Sequence, residues 1–256
     1  MNFYLMAVAV FVGGLFGGSF LNVLVDRIFR DENFIVGRSY CESCRHLLTW
    51  QDLIPLFSFI FLFGRCRHCK NRIPLWLPIV ELSTALVFIL VVYLSWGLPW
   101  WVILLRLTIA FLLLVVFFAD LKYRLVYEII VYWLLGAIAI YQFAVVGFSG
   151  LINPLLSALV TGLFFYLLYW LSKKRGLGFG DVQIGFLMGF LLAWPRVVFA
   201  LYLAFLTGAS VGIILMIMGR AKMKTAIAFG PFLVLATFVS WFWGEELIRL
   251  VTNHLF

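Results

Sequence analysis

Charge is what this chain has least of. Only 12% of its 256 residues are charged and 65% are apolar, a balance that excludes a soluble domain. Acids are scarcer than bases, 11 against 19, which leaves a net charge of +8. That sign invites a nucleic-acid partner, yet nearly all the bases cap the ends of apolar runs, so no nucleic acid is expected. There are three histidines, His46, His68 and His254, and none lies inside an apolar run. A nucleotide-binding fingerprint is lacking too: Gly13-Gly14 and Gly17-Gly18 lie within an apolar run and suit helix packing. No base precedes the first apolar stretch, about residues 4–25, and a basic stop follows it. It reads as a retained span rather than a cleaved signal peptide.

What is present is an all-α polytopic membrane protein. Eight spans of about 20 residues are predicted at roughly 4–25, 76–95, 100–119, 126–147, 151–172, 181–195, 197–219 and 227–244. The sixth is short enough to lie tilted or to merge into the Trp194-Pro195-Arg196 turn. Placing the N-terminus outside puts 16 of the 19 lysines and arginines in four inner segments, including Lys173-Lys174-Arg175. The expected orientation therefore has both termini outside. The chain divides into a first helix (1–25), an inner loop (26–75) and a membrane bundle (76–256). The loop's middle, residues 53–63, is an apolar run too short to span, so it is expected to lie in the membrane interface.

Four acids sit at or inside membrane boundaries: Glu81, Asp120, Glu128 and Asp181. Ionisable groups there are costly and become functional candidates. Asp120 ends the third span where the chain leaves toward the inside, and Asp181 opens the sixth where it returns. The two share one depth on opposite-running helices. If packed together they can share a proton, one activating water and the other protonating a leaving amine. Each Asp also has a plainer reading, as a helix cap or a partner of Lys122, Arg124 or Lys173. Before Asp181, the bend Gly176-Leu177-Gly178-Phe179-Gly180 supplies conformational freedom and close approach. A proton- or cation-coupled transporter is the rival class, though it favours acids at mid-membrane. Glu128 reads as a helix start, Arg106 as a paired or snorkelling cation, and Glu81 has no assigned role.

Cysteine occurs only as Cys41-x-x-Cys44 and Cys66-x-x-Cys69, a pattern close to a four-thiolate zinc site. An inner loop disfavours disulfides, so structural zinc is expected. His46 and His68 read as surface residues.

Gly178-Phe179-Gly180-Asp181 resembles the GxGD motif of membrane aspartyl proteases. The fuller similarity is to the bacterial type IV prepilin peptidase family. It is carried by Gly18-Ser19-Phe20-Leu21-Asn22-Val23, residues 39–46, Trp50, residues 52–56 and 66–70, Pro78-Ile79-Val80-Glu81-Leu82 and Phe229-Gly230-Pro231-Phe232. The resemblance implies that Asp120 and Asp181 are the catalytic pair, with Gly178 and Gly180 as the supporting loop. It implies type IV prepilin or pseudopilin substrates, cut after the leader's glycine, at the cytoplasmic face of a bacterial inner membrane. It also implies N-methylation of the new terminus with S-adenosylmethionine, for which no residues are named. Where the family commonly reads Ile-Pro-Asp or Ile-Pro-Asn after the first Asp, this chain has Val126-Tyr127-Glu128. Gly147-Phe148-Ser149-Gly150 looks like the motif of intramembrane serine proteases, but it falls in an outer loop and lacks a histidine partner.

Overall fold

The computed structural model describes residues 3–33, 37–172, 177–220 and 228–255. The basic run Lys173-Lys174-Arg175, Gly176, and Lys222 and Lys224 lie outside the described residues. Nine helices carry the described chain: α1 (Phe3–Phe29), α2 (Phe57–Phe61), α3 (Trp76–Leu94), α4 (Trp100–Tyr123), α5 (Glu128–Gly150), α6 (Ile152–Leu171), α7 (Phe179–Leu192), α8 (Arg196–Ile217) and α9 (Gly230–Leu255). Seven are long and apolar enough to cross a membrane; α2 and α7 are the short ones. The chain forms two compact units, Met1–Phe111 and Leu112–Phe256.

In the first unit α1 packs along α3. The contact is close because two glycines four residues apart present bare backbone. A Cβ on Gly14 would lie 2.5 Å from the Ala85 Cα, and one on Gly18 would lie 2.5 Å from the Glu81 Cα. Asn22 adds a hydrogen bond to the Leu77 carbonyl at 3.2 Å. The apolar run at 53–63 breaks into a 3-10 turn (Trp50–Leu53) and the five-residue α2. It leaves Trp50, Phe57, Ile60, Phe61 and Phe63 exposed, as an interfacial segment would.

In the second unit α7 is the centre, buried on every side from Val182 to Leu192 apart from half-buried Gln183 and Phe186. Fourteen residues reach only about 21 Å, short of the ~30 Å hydrocarbon layer. Its last carbonyls therefore end among protein, where they need partners. Gln142 of α5 donates to the Phe190 and Leu191 carbonyls at 2.6 and 2.9 Å, and Arg196 Nε donates to Leu192 at 3.1 Å. Asn153 holds both the N–H and the carbonyl of Trp194 at 3.1 Å. The short sixth span is thus a capped core helix.

Helix α7 meets α6 through glycine. At Gly189 a Cβ would stand 2.2 Å from Thr161 Oγ1 and 2.5 Å from the Ser157 carbonyl oxygen; at Gly185 it would meet the Phe165 ring at 2.2 Å. The Gly189 neighbours include backbone, which cannot swing aside. Gly189→Ala is therefore expected to destabilise by about 2–3 kcal/mol, the upper range of overpacking. A thermal shift in detergent checks this, and an unchanged Tm would disprove the close approach.

Candidate active site and metal centre

Asp120 lies near the C-terminal end of α4, and Asp181 in the first turn of α7. Both are buried, at 7% and 9% exposure. They are near enough for the charge of Asp120 to act on Asp181. Each is held by its own surroundings. Asp181 is the third residue of α7, and its Oδ2 accepts the Gly178 N–H at 3.0 Å, so it caps the helix with its functional atom. Gly180 admits the α4–α5 connection: a Cβ there would fall 2.6 Å from Val126 Cγ2. The Val126-Tyr127-Glu128 departure thus places a valine against the last glycine of the bend. Tyr127 precedes α5 in extended conformation, and α5 opens on Glu128 without the family's proline.

Asp120 has a different setting. The Gly230 N–H and the charge of Arg124 act on its carboxyl group, and Oδ2 accepts no hydrogen bond among the described residues. Two buried carboxylates, one within reach of the other's charge, form a pair in which one proton can be shared. Such a pair can polarise a water with its charged member and donate a proton from its neutral one.

The second cluster is the cysteine loop. It is built from one turn used twice. Cys41 N–H donates to the His46 carbonyl and Cys66 N–H to the Asn71 carbonyl, at 2.9 and 2.8 Å. Arg45 and Lys70 close the turns back onto Cys41 and Cys66, both with positive φ (58° and 59°). The bridges Tyr40–Leu47 and Arg65–Arg72 flank the two copies. The four sulfurs lie within 4.8 Å of one another, with Cys41 and Cys69 at 3.9 Å. A tetrahedral zinc–thiolate centre needs sulfurs about 3.8 Å apart, given bonds near 2.3 Å, so the donor set fits a metal. The Cys44 backbone N–H is the main cause holding the Cys41 thiol down to about 7, toward the thiolate that binds metal. His46 and His68 lie against each other, centroids 3.6 Å apart and rings tilted by 36°, and both are exposed.

Two roles escaped the sequence reading. Asp52, inside the loop, accepts from Thr49 N–H (3.1 Å), Thr49 Oγ1 (2.7 Å) and Arg67 Nε (2.8 Å), tying the 3-10 turn to the second cysteine turn. Glu81, buried on α3, accepts the Leu56 N–H at 2.8 Å, and Ser19 is near enough to act on its carboxyl group. Leu56 has φ +62°, a costly conformation that the Glu81 bond helps to hold. Glu81→Ala is expected to cost about 1–3 kcal/mol by orphaning that amide. Limited trypsinolysis at Arg65 and Arg67 should accelerate several-fold; an unchanged rate would remove the tether. Arg106 donates to Ser95 Oγ at 3.0 Å, a pairing inside the first unit.

The Bacterial Peptidase A24 N-terminal domain model matches residues 12–95, and the Type IV leader peptidase family model matches residues 107–213. The chain is 32% identical to a prepilin leader peptidase/N-methyltransferase of Aeromonas hydrophila, over 96% of this chain and 94% of that protein. It is 31% identical to the Pseudomonas aeruginosa protein of the same name, over 92% and 90%. A Myxococcus xanthus protein of that name is 33% identical over 86% of this chain and 67% of its own length. No solved structure matches.

Proposed function

We propose, from the premise that the chain belongs to the type IV leader peptidase family, that Asp120 and Asp181 are the catalytic carboxylates of its peptidase. The chain is an integral inner-membrane endopeptidase that removes the leader from type IV prepilin-like proteins. The comparisons leave the transporter reading without support. The observation that carries the residue assignment is the pair of buried carboxylates, Asp181 capped by the glycine bend and within reach of the Asp120 charge.

In this reading the ionised Asp takes a proton from water as the oxygen attacks the carbonyl carbon of the leader's last glycine. The neutral Asp then donates its proton to the amine as the C–N bond breaks. The two carboxylates exchange roles and no covalent intermediate forms. With both termini outside, the ends of α4 and of the bend before α7 face the cytoplasm, where a short basic leader would precede the hydrophobic helix of the substrate. The exposed aromatic segment at 50–63 and its basic flanks suit anionic lipid headgroups.

Zinc is assigned to Cys41, Cys44, Cys66 and Cys69. Four thiolates leave no open coordination position, so the metal would hold the loop's shape. Methyl transfer from S-adenosylmethionine comes to this chain only through the names of its relatives. The glycines that might have cradled a nucleotide, Gly14 and Gly18, are closed by α3, so they do not fit that group. No residue is assigned to methylation.

The test is incubation of the detergent-purified protein with a prepilin-type substrate, with the product's N-terminus read by mass spectrometry. One cut after the leader glycine is expected. Inertness toward several such substrates would overturn the substrate class.

A further inference from the structure

One atom of the site has no partner among the described residues. Asp120 is buried, and its Oδ2 accepts no hydrogen bond there. What stands against it is the start of α9. A Cβ on Gly230 would lie 2.5 Å from that oxygen, 3.1 Å from its carboxyl carbon and 3.0 Å from Ile184 Cδ1 of α7. Ile184 follows Asp181 by three residues, so it projects from the same face of α7.

The amides of this helix start are accounted for. Pro231 has none, and the Phe232 and Leu233 N–H groups both turn back to the Phe229 carbonyl, at 3.0 and 3.3 Å. The Gly230 N–H acts on the Asp120 carboxyl. The positive end of a 26-residue helix thus meets a buried carboxyl oxygen across a residue with no side chain.

We propose that Gly230 is a positioning residue for catalysis: its missing side chain admits the Asp120 carboxyl to the N-terminus of α9, which sets that carboxyl's orientation toward Asp181. The inference rests on the two-aspartate reading. Asp181 has a glycine amide too, from Gly178, but there a Cβ would stand 3.6 Å from Oδ2, an ordinary contact. Gly178 contributes its amide, which alanine retains. Gly230 contributes empty space, which alanine fills.

The experiment compares Gly230→Ala with Gly136→Ala of α5, where an added Cβ would meet nothing within 4 Å, in the purified full-length protein, with Asp120→Asn as reference. Gly230→Ala should lower kcat for leader cleavage by about 100-fold at nearly unchanged KM, as displacement of a reacting group by around an ångström does. Gly136→Ala should stay within a few-fold of wild type. A wild-type kcat for Gly230→Ala overturns the proposal, as does an equal loss in both alanine variants.

A purely structural role would instead reduce the folded fraction and leave kcat per folded molecule intact. A double-mutant cycle on Tm covers a variant that is unstable. Any Tm loss from Gly230→Ala should largely vanish in an Asp120→Ala background, because the crowded carboxyl is gone. An unrelieved loss overturns the proposal. Failure of the dyad itself reads differently: Asp120→Asn would then cleave at the wild-type rate, while the Tm coupling still reports whether Gly230 and Asp120 are in contact.

Discussion

Asp120→Asn and Asp181→Asn are each expected to lower kcat/KM for prepilin cleavage by about 10³-fold or more, at nearly unchanged Tm. General acid–base catalysis supplies factors of that order, and 10³ corresponds to about 4 kcal/mol of transition-state stabilisation. The folded state should tolerate both changes for reasons visible at each site. At Asp181 an amide oxygen can still accept the Gly178 N–H, so the cap on α7 survives. At Asp120 the substitution removes a buried charge whose Oδ2 accepts no hydrogen bond among the described residues, so it should cost little stability. The double variant should be no worse than either single one, because the two carboxylates act as a unit and losing one ends the proton exchange. The wild-type rate should trace a bell against pH, since the pair works only while holding one proton. The checks are substrate conversion by mass spectrometry alongside a thermal melt. Retention of more than about a tenth of the activity by either folded variant would rule out the two-aspartate mechanism.

The reasons this pair of acids stands out in the sequence are physical. Hydropathy at the scale of a bilayer fixes where helices begin and end, and an acid at such a boundary is conspicuous because it is expensive. Asp120 and Asp181 stood out in this way, and the paired Cys-x-x-Cys turns did so through spacing alone. What stayed hidden needed the third dimension. The importance of Gly185 and Gly189 lies in which backbone comes within reach of them, and nothing local reports that. Gln142 carries no local mark of its role, yet it satisfies the open carbonyls of a helix too short to cross. Asp52 and Glu81 were visible as acids, but their partners, Arg67 and the Leu56 amide, lie 15 and 25 residues away. The repeat of one turn within the cysteine loop was legible as two similar spacings. That both copies use a positive-φ basic residue, Arg45 and Lys70, was not.

On the proposal that zinc occupies the four cysteines, its removal is expected to unfold the loop while leaving the α1–α3 pair intact. The loop has almost no core of its own: Cys66 is buried, while Trp50, Phe57, Phe61 and Phe63 are exposed. Its shape rests on two tight turns, the Asp52–Arg67 bridge and the Arg30–Glu42 pair at the end of α1. An exposed pair such as Arg30–Glu42 is worth about 1 kcal/mol or less, and the half-shielded Asp52–Arg67 bridge adds one charge-assisted hydrogen bond, together too little to offset the ordering of some thirty residues. Structural zinc in small thiolate sites supplies apparent binding energies of about 10–16 kcal/mol, which becomes folding energy. Chelation, or Cys66→Ser, should therefore abolish hydrogen-exchange protection at the Cys41, Arg45, Cys66 and Lys70 amides. The packing of Gly14 and Gly18 against α3 uses none of these groups, so protection within α1 and α3 should persist. His46→Ala and His68→Ala should leave one metal per chain, because the four thiols complete the site. If the metal-free protein keeps its loop protection, the turns are stable on their own and the four cysteines need another explanation.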